Sequence, residues 1–469
     1  MKAIIIGAGE VGFHIAKLLT AQANDVVLID ESQAACDRVN EQLDLQTLRG
    51  SGASPRLLKT AGIDEANLII AVTNSDEINM LACQIADRYK VSTKIARVSS
   101  PDYFSTESDL TPKDFGIDLL VNPERLCVAE FVRLLQVPEA REIVDFEDGS
   151  VQLVSFRIKQ SNPLIGKSLA ELDANGLLSD IRFAAISRPG RSSNNGHPIN
   201  NGNRHIIIPS GSDALQQGDE VFVIGSTIAV EQLLRISGIT FHQQLDRVII
   251  VGASPIGIEL ARVLEERDTN VKLIEADPEK AALASQSLKR TTVLQGNYLQ
   301  FRLLEEAGVE AVNGFISVTG DDENDIMACM TAKENGAQRV LALVQQPRYL
   351  PLLARIPRLD GAVSRHLTVV SNILRLIRRG QIISVASLHG IDAEVIEIVA
   401  GINSKIAHKE LVSFKTKFPE NAFIGAIIRR DRLIIPTGQS VIQPTDRVIV
   451  FSLPGAIPVV EDLFAERRD

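Results

Sequence analysis

Residues 2–19, KAIIIGAGEVGFHIAKLL, set an apolar run before three glycines and follow them with an amphipathic run. That order predicts a buried strand, a tight turn and a helix. Gly7 permits the turn, Gly9 lets the backbone approach a pyrophosphate, and Gly12 lets helix pack closely on strand. The first turn of such a helix offers unpaired N–H groups and the positive end of its dipole to a phosphate. A lone GxGxxG is a weak signal. Here a strand precedes it, a helix follows, and Asp30 closes a second strand, VVLID (26–30). An acid there accepts hydrogen bonds from both ribose hydroxyls and repels a 2′-phosphate, favouring NAD(H), ATP or ADP over NADP.

The stretch is written twice. Residues 247–264, RVIIVGASPIGIELARVL, repeat it, and VKLIE (271–275) repeats the second strand. The match stays in step: LIIAVTNSDEINMLACQIA (68–86) corresponds to GFISVTGDDENDIMACMTA (314–332), and Arg97 to Leu343. An offset held to within one residue over roughly a hundred positions is duplication, the signature of a repeated structural unit. A smaller element repeats as well: IIIPSGSDALQQGDEVFVIGS (206–226) and LIIPTGQSVIQPTDRVIVFSL (433–453) each read as two β-rich runs paired around a turn. The segment NPLIGKSLAEL (162–172) precedes the first copy and reads as helical.

The expected architecture is α/β: two tandem Rossmann-like domains, each followed by a small α+β domain. The boundaries fall at 1–123, 124–240, 241–365 and 366–469. The stretch SRPGRSSNNGHPINNGNRH (187–205) is longer than its counterpart and reads as a surface loop. PERLCVAEFVRLLQ (123–136) and HLTVVSNILRLIRR (366–379) carry apolar residues at three- and four-residue steps, so each buries one face. Packing within a domain and a dimer seam explain that face equally well.

The carboxyl ends of parallel strands supply the remaining candidates. Ser51 follows the third strand, Thr73 and Asn74 end the fourth, and Arg97 ends KIAR, placed to clamp phosphates with its charge. Loop capping by small polar residues is the competing reading for the first three, and an exposed strand-end arginine without a ligand is the competing reading for Arg97. The second copy differs where phosphate would lie. Ser254 replaces the middle glycine and brings a Cβ into the approach, Pro255 suits a first helical turn, and Leu343 removes the cation. Glu275 keeps the ribose position.

A net charge of −10 weighs against nucleic-acid backbone and anionic lipid as partners. Cys36, Cys83, Cys127 and Cys329 form no CxxC pair and read as core residues of a reducing compartment. No apolar run reaches the roughly 18 residues of a membrane span, and no secretory leader is expected. No metal site is expected. No Tyr-x-x-x-Lys or His/Asp pair suggests catalysis, and the two small domains leave no sizeable substrate domain. An NAD-dependent oxidoreductase and a redox sensor built on a duplicated Rossmann domain stay as alternatives to ligand sensing.

Taken together, GAGEVG, VLID, VTNSDEIN, the IAR strand end, NPLIGKSL, the 206–226 segment and their second copies resemble the RCK family, the regulators of potassium conductance, also called KTN domains. The duplicated order resembles the peripheral subunits of bacterial potassium-uptake systems within that family. The resemblance implies two pairs of RCK N-terminal and C-terminal domains and no enzyme activity. It implies a homotetramer on the cytoplasmic face of the bacterial inner membrane, docked on a membrane-embedded potassium pore subunit. It implies nucleotide contacts at Gly7, Ala8, Gly9, Glu10, Val11, Gly12, Asp30, Thr73, Asn74 and Arg97. In the second half they fall on Gly252, Ala253, Ser254, Pro255, Ile256 and Glu275, with NAD(H) or ATP/ADP as regulatory ligands. It also gives weight to the dimer-seam reading of the two amphipathic helices.

Overall fold

The computed structural model describes the chain apart from residues 22–23, 101, 104–108, 137–139, 147–148, 190–203, 240–244, 347–348, 350–352, 354–355, 357, 378–381, 389–392, 415–417, 420, 431, 454 and 467–469. The first 121 residues alternate strand and helix: β1 (Lys2–Ile6), α1 (Glu10–Ala21), β2 (Asp25–Asp30), α2 (Gln33–Gln42), β3 (Gln46–Arg49), α3 (Pro55–Thr60), β4 (Leu68–Ala71), α4 (Asp76–Arg88), β5 (Thr93–Arg97) and β6 (Leu119–Val121). The strands form a parallel sheet in the order β3-β2-β1-β4-β5-β6. Near-continuous apolar strands suit such a sheet, because helices cover both faces. Ser32, Ser54 and Ser75 start α2, α3 and α4 by accepting a backbone N–H in the first turn.

A first crossover helix, α5 (Pro123–Gln136), leads to an antiparallel sheet. Its elements are β7 (Ala140–Phe146), β8 (Val151–Arg157), α6 (Leu169–Ala174), β9 (Ile181–Pro189), β10 (Arg204–Ile207), β11 (Glu220–Ser226) and α7 (Thr227–Ile236), in the order β10-β9-β11-β8-β7. The chain then repeats itself with β12 (Arg247–Val251), α8 (Pro255–Glu265), β13 (Asn270–Glu275), α9 (Pro278–Ser287), β14 (Thr292–Gln295), α10 (Phe301–Ala307), β15 (Gly314–Ser317), α11 (Asp322–Glu334), β16 (Val340–Val344) and β17 (Gly361–Ser364). This sheet runs β14-β13-β12-β15-β16-β17, the same order as the first. The second crossover helix, α12 (Arg365–Ile377), precedes β18 (Ile382–Leu388), β19 (Ala393–Val399), β20 (Ala422–Arg429), β21 (Arg432–Ile434), β22 (Arg447–Ser452) and α13 (Ile457–Phe464). The last sheet runs β18-β19-β22-β20-β21. No described helix is long and apolar enough to cross a membrane.

The repeated β-rich runs do not pair with each other as the sequence suggested. β10 and β11 lie on opposite sides of β9, and β21 and β22 on opposite sides of β20. The connection is too long for a tight hairpin, and a part-buried ion pair anchors it instead. Arg188 grips Asp219 through Nε and Nη2 at 2.9 and 2.8 Å and donates to the Ala214 carbonyl at 2.8 Å. Arg429 repeats this with Asp446 at 2.9 and 2.7 Å and with the Val441 carbonyl at 2.7 Å. The 187–205 stretch also differs from expectation at its ends: 187–189 belong to β9 and 204–205 to β10, and 190–203 lie outside the described residues. The helical reading of 162–172 holds only from Leu169, where Ser168 and Glu171 close a capping box.

Two compact units result. One comprises residues 1–128, 345–347 and 364–377; the other comprises 129–344, 348–363 and 378–469. In the first unit, one face of the parallel sheet (Ala3, Ile5, Leu28, Ile70) packs on Ile15 and Leu19 of α1. Val369, Val370, Ile373 and Leu374 of α12 join that core, so a helix from the second half completes the first half's domain. In the second unit the tail of α5 reciprocates. Leu135 fills the space where a Cβ on Gly314 would stand, and Arg339 donates to the Ala140 carbonyl. The buried helix faces are thus seams between the halves of one chain. In the same unit the two antiparallel sheets share a core that includes Leu153, Phe222 and Ile224 from one and Val395, Ile449 and Phe451 from the other.

Candidate functional site

The three glycines of the first turn have three separate reasons to be glycine. Gly7 has φ +107°, a conformation that side chains rarely adopt, and a Cβ there would lie 3.1 Å from the Thr73 nitrogen. At Gly12 a Cβ would lie 1.8 Å from the Gly7 carbonyl oxygen, so this residue lets α1 sit against β1. At Gly9 a Cβ would meet nothing within 4 Å. Neither packing nor backbone angle demands glycine at that position. The open space above the first turn of α1 is what its missing side chain preserves, as anion binding at a helix start requires.

Asp30 braces this turn. Its Oδ2 accepts from the Ala8 amide at 2.6 Å and its Oδ1 from the Ser32 amide at 2.8 Å. Each oxygen keeps a lone pair for a ribose hydroxyl. Val11 points into the core at 7% exposure, so only its backbone faces the crevice. Glu10 is exposed and lies 3.6 Å from Arg38, whose Nη2 also donates to the Ala8 carbonyl at 2.7 Å. Arg38 is a cation beside the glycine turn that the sequence reading missed, because nothing in its spacing on α2 ties it to residue 8.

Across the crevice, Thr73 and Asn74 are positioned by groups that the sequence did not single out. Buried Asn79 accepts from the Thr73 amide and hydroxyl at 3.0 and 2.8 Å. Its own amide donates to the carbonyls of Thr73 and Arg97 at 3.0 and 2.9 Å, stitching the ends of β4 and β5 together. Asn74 accepts from Arg97 Nη1 at 3.1 Å. Ser51 accepts from the Ala53 amide at 3.4 Å and shapes the loop after β3. Burial, then nearby Arg365, push Arg97 below its ordinary pKa, against the pull of Glu124 and Asp76. The guanidinium remains charged at any physiological pH.

In the second copy Gly252 (φ +100°) and Gly257 repeat the roles of Gly7 and Gly12, with a Gly257 Cβ falling 2.1 Å from the Gly252 oxygen. Glu275 repeats the brace, accepting from the Ala253 and Asp277 amides at 2.6 and 2.9 Å. Ile256 is buried. Ser254 does more than carry a Cβ: its hydroxyl accepts from the Gly257 amide at 3.3 Å and caps α8, with Pro255 in the first turn. The N–H that a phosphate would take is already engaged. Leu343 is buried in the sheet, and Tyr298 hydrogen-bonds Thr319 on the same edge.

Elsewhere the thiols are core groups. All four are buried, and burial pushes the Cys83 thiol up to about 12. His14 on α1 is half-buried and held below its ordinary pKa, first by burial and then by Lys17.

Residues 3–123 and 248–364 match the TrkA-N domain, and residues 153–238 and 395–465 match the TrkA-C domain. The Trk system potassium uptake protein TrkA of Halomonas elongata is 34% identical over 459 residues, covering 96% of this chain and 95% of that protein. The protein of the same name in Haemophilus influenzae is 34% identical over 473 residues, covering 99% and 98%. Among solved structures, the GsuK channel superposes with a TM-score of 0.59 at 17% identity, over 99% of this chain and 79% of that one. The GsuK channel bound to NAD superposes with a TM-score of 0.57 over the same shares. At that identity the likeness is one of fold.

Proposed function

The chain belongs to the TrkA family, and from that premise we propose that it is the nucleotide-sensing regulatory subunit of a Trk-type potassium-uptake system. NAD(H), ATP or ADP enters the first crevice as a regulatory ligand. The backbone of Gly7, Ala8, Gly9, Glu10, Val11 and Gly12 wraps the diphosphate, Asp30 takes the ribose, and Arg97 faces the phosphates. Ser51, Thr73 and Asn74 line the remaining edge. Gly252, Ala253, Ser254, Pro255, Ile256 and Glu275 form a second, weaker site. The four segments 1–123, 124–240, 241–365 and 366–469 act as the working domains.

Binding gates transport by shifting a conformational equilibrium, which requires that the ligand bind two states unequally. The chain acts without catalytic turnover, and the names of its relatives as uptake-system proteins support that reading. It works as a homotetramer at the cytoplasmic face of the inner membrane, on a TrkH-like pore subunit. A channel of the same fold is described with NAD bound, which supports NAD(H) among the ligands.

The observation that carries the proposal is the open space at Gly9, above a helix start and beside the carboxylate of Asp30. Calorimetric titration of the full chain with NADH, NAD, ATP and ADP tests it. Saturable binding that Asp30→Ala weakens by about 1–3 kcal/mol is the expected result. Steady NADH consumption with added substrate would instead make the chain an oxidoreductase.

A further inference from the structure

Beneath the second crevice lies a buried acid where the first crevice has an amide. Asn79 corresponds to Asp325, and the strands above them keep one register: Ala71 lies opposite Ala96 in the first sheet, Ser317 opposite Ala342 in the second. Asn79 accepts through Oδ1 from the Thr73 amide and hydroxyl, and donates through Nδ2 to the carbonyls of Thr73 and Arg97. Asp325 repeats the accepting part, its Oδ1 taking the Thr319 amide and hydroxyl at 2.8 Å. Its Oδ2 therefore occupies the place of a donor nitrogen. Asp325 is 1% exposed, and that oxygen has no hydrogen-bond partner among the described residues. A carboxylate can only accept, whereas a protonated carboxyl carries the O–H that this position needs.

The cations that flank the first crevice are leucines in the second. Arg97 corresponds to Leu343, buried in the sheet, and Arg38 to Leu283, exposed on α9. The titratable groups facing Asp325 are Tyr298, from the loop after β14, and Cys329, one turn further along α11. Tyr298 also faces Asp321 and Glu275, and Cys329 faces Asp360, which Lys333 holds at 2.7 Å. Burial raises the phenol and the thiol, so neither ionises near neutral pH. Burial, the largest influence, also raises the Asp325 carboxyl from 3.8 to about 6, against hydrogen bonds from Thr319, Ser317 and Gly320.

This carboxyl lies directly behind the place where phosphate would arrive. A Cβ on Gly252 would stand 2.8 Å from the Thr319 Cα, so the glycine turn touches Thr319, the residue that Asp325 holds. A diphosphate over that turn brings negative charge near a buried carboxylate, where charge is poorly screened. Like charges disfavour each other's ionised forms. The diphosphate of NAD is esterified at both ends and takes up no proton near neutral pH, so the proton goes to the carboxyl.

We propose that the second crevice is a proton-linked nucleotide site, in which a dinucleotide binds as Asp325 takes a proton from solvent. The new O–H then makes the bond to a strand-end carbonyl that the Asn79 amide makes in the first copy. The proposal rests on nucleotide binding at the second crevice. It gives the two halves different inputs: the first answers to nucleotide, the second to nucleotide and pH together.

The test is calorimetry of the full-length Gly9→Asp chain, whose first site is weakened, titrated with NAD at pH 6 and pH 8. At pH 7 the titration is repeated in two buffers of different ionisation enthalpy. Density beside Gly252 in crystals soaked with NAD identifies the second-site phase. That phase is expected to show proton uptake and to be about fivefold tighter at pH 6 than at pH 8, as when a bound anion moves a nearby carboxyl's pKa by about one. Adding Asp325→Asn supplies the amide that the first copy uses and leaves no proton to gain. It should abolish the uptake and flatten the pH dependence, with binding at pH 8 at least as tight as the parent's at pH 6. Uptake and pH dependence that persist in Asp325→Asn, or that are missing from its parent, would overturn the inference and leave the second site standing. Absence of second-site binding at both pH values would overturn that site as well, while titration of the unaltered chain would still judge the first site by itself.

Discussion

The two parallel-sheet domains share strand order, the glycines that let helix meet strand, and a carboxylate that braces the turn. They part company at three positions along one edge. Gly9 corresponds to Ser254, Asn79 to Asp325, and Arg97 to Leu343. The two glycines that build the turn are kept in both copies, whereas the glycine with open space above it, the cation at the end of β5 and the buried group that bonds the end of β4 have diverged. The duplication thus sorts glycines that build the turn from the one that leaves room for a ligand, without recourse to other sequences.

The strongest way to break that sorting is to substitute the fold glycines. Gly12→Ala and Gly257→Ala each place a Cβ about 2 Å from a carbonyl oxygen, so something must shift. Each should destabilise its domain by about 3 kcal/mol, the upper end of overpacking costs. Thermal unfolding of the full chain checks this. Equal Tm values for Gly12→Ala and the unaltered protein would remove Gly12 from the fold class.

The next largest effect concerns Asp325. Its Oδ1 accepts from the Ser317 hydroxyl and from the Thr319 amide and hydroxyl at 2.7–2.8 Å, much as Asn79 accepts in the first copy. Asn79, however, donates to two carbonyls with its amide nitrogen. Asp325 Oδ2 is buried with no partner among the described residues. Burial raises the carboxyl from 3.8 to about 6 despite those hydrogen bonds. Because the folded carboxyl holds its proton more tightly than the unfolded one, its contribution is full below about pH 4 and lost as pH rises through about 6. A shift of this size corresponds to about 3 kcal/mol. Asp325→Asn should therefore raise the urea midpoint at pH 7.5 and leave it nearly unchanged at pH 4. A variant with the same pH slope as the parent would show that the carboxyl is not the source.

Smaller again is the effect on binding at the ligand glycine. Gly9→Asp has room for its side chain and should leave Tm unchanged, yet it sets a negative charge where phosphate arrives. Nucleotide affinity at the first site should fall by about 1–3 kcal/mol, as should that of Asp30→Ala. Loss of stability in Gly9→Asp comparable to that in Gly12→Ala would erase the distinction between the two glycines.

The strand–turn–helix units were legible because period, glycine spacing and a closing acid are all local signals. Asn79 was not, since its role appears only when the end of β5 comes beside it, Arg97 lying 18 residues away in sequence. Arg38 likewise reaches Ala8 across 30 residues. In each small domain only two of the five strands were read, and those two were given the wrong neighbours. The Arg188–Asp219 pair that carries the chain past β9 joins residues 31 apart. An amphipathic helix announces that a face is buried and not what buries it, which is why the reciprocal exchange of α5 and α12 needed coordinates.

The finest test of the comparison is to turn one site toward the other. Ser254→Gly removes the hydroxyl that caps α8 and frees the Gly257 amide for a ligand. Glycine is itself tolerated at a helix cap, so stability should fall by only about a few tenths of a kcal/mol. Affinity at the second site should rise by less than tenfold, because the variant restores the open helix start but supplies no cation in place of Leu343. Crystals soaked with ATP would show higher occupancy beside Gly252 than in the unaltered protein, and calorimetry would show the second binding phase sharpen. If occupancy stays the same, the capped helix start is not what separates the two sites, and the missing cation carries the difference alone.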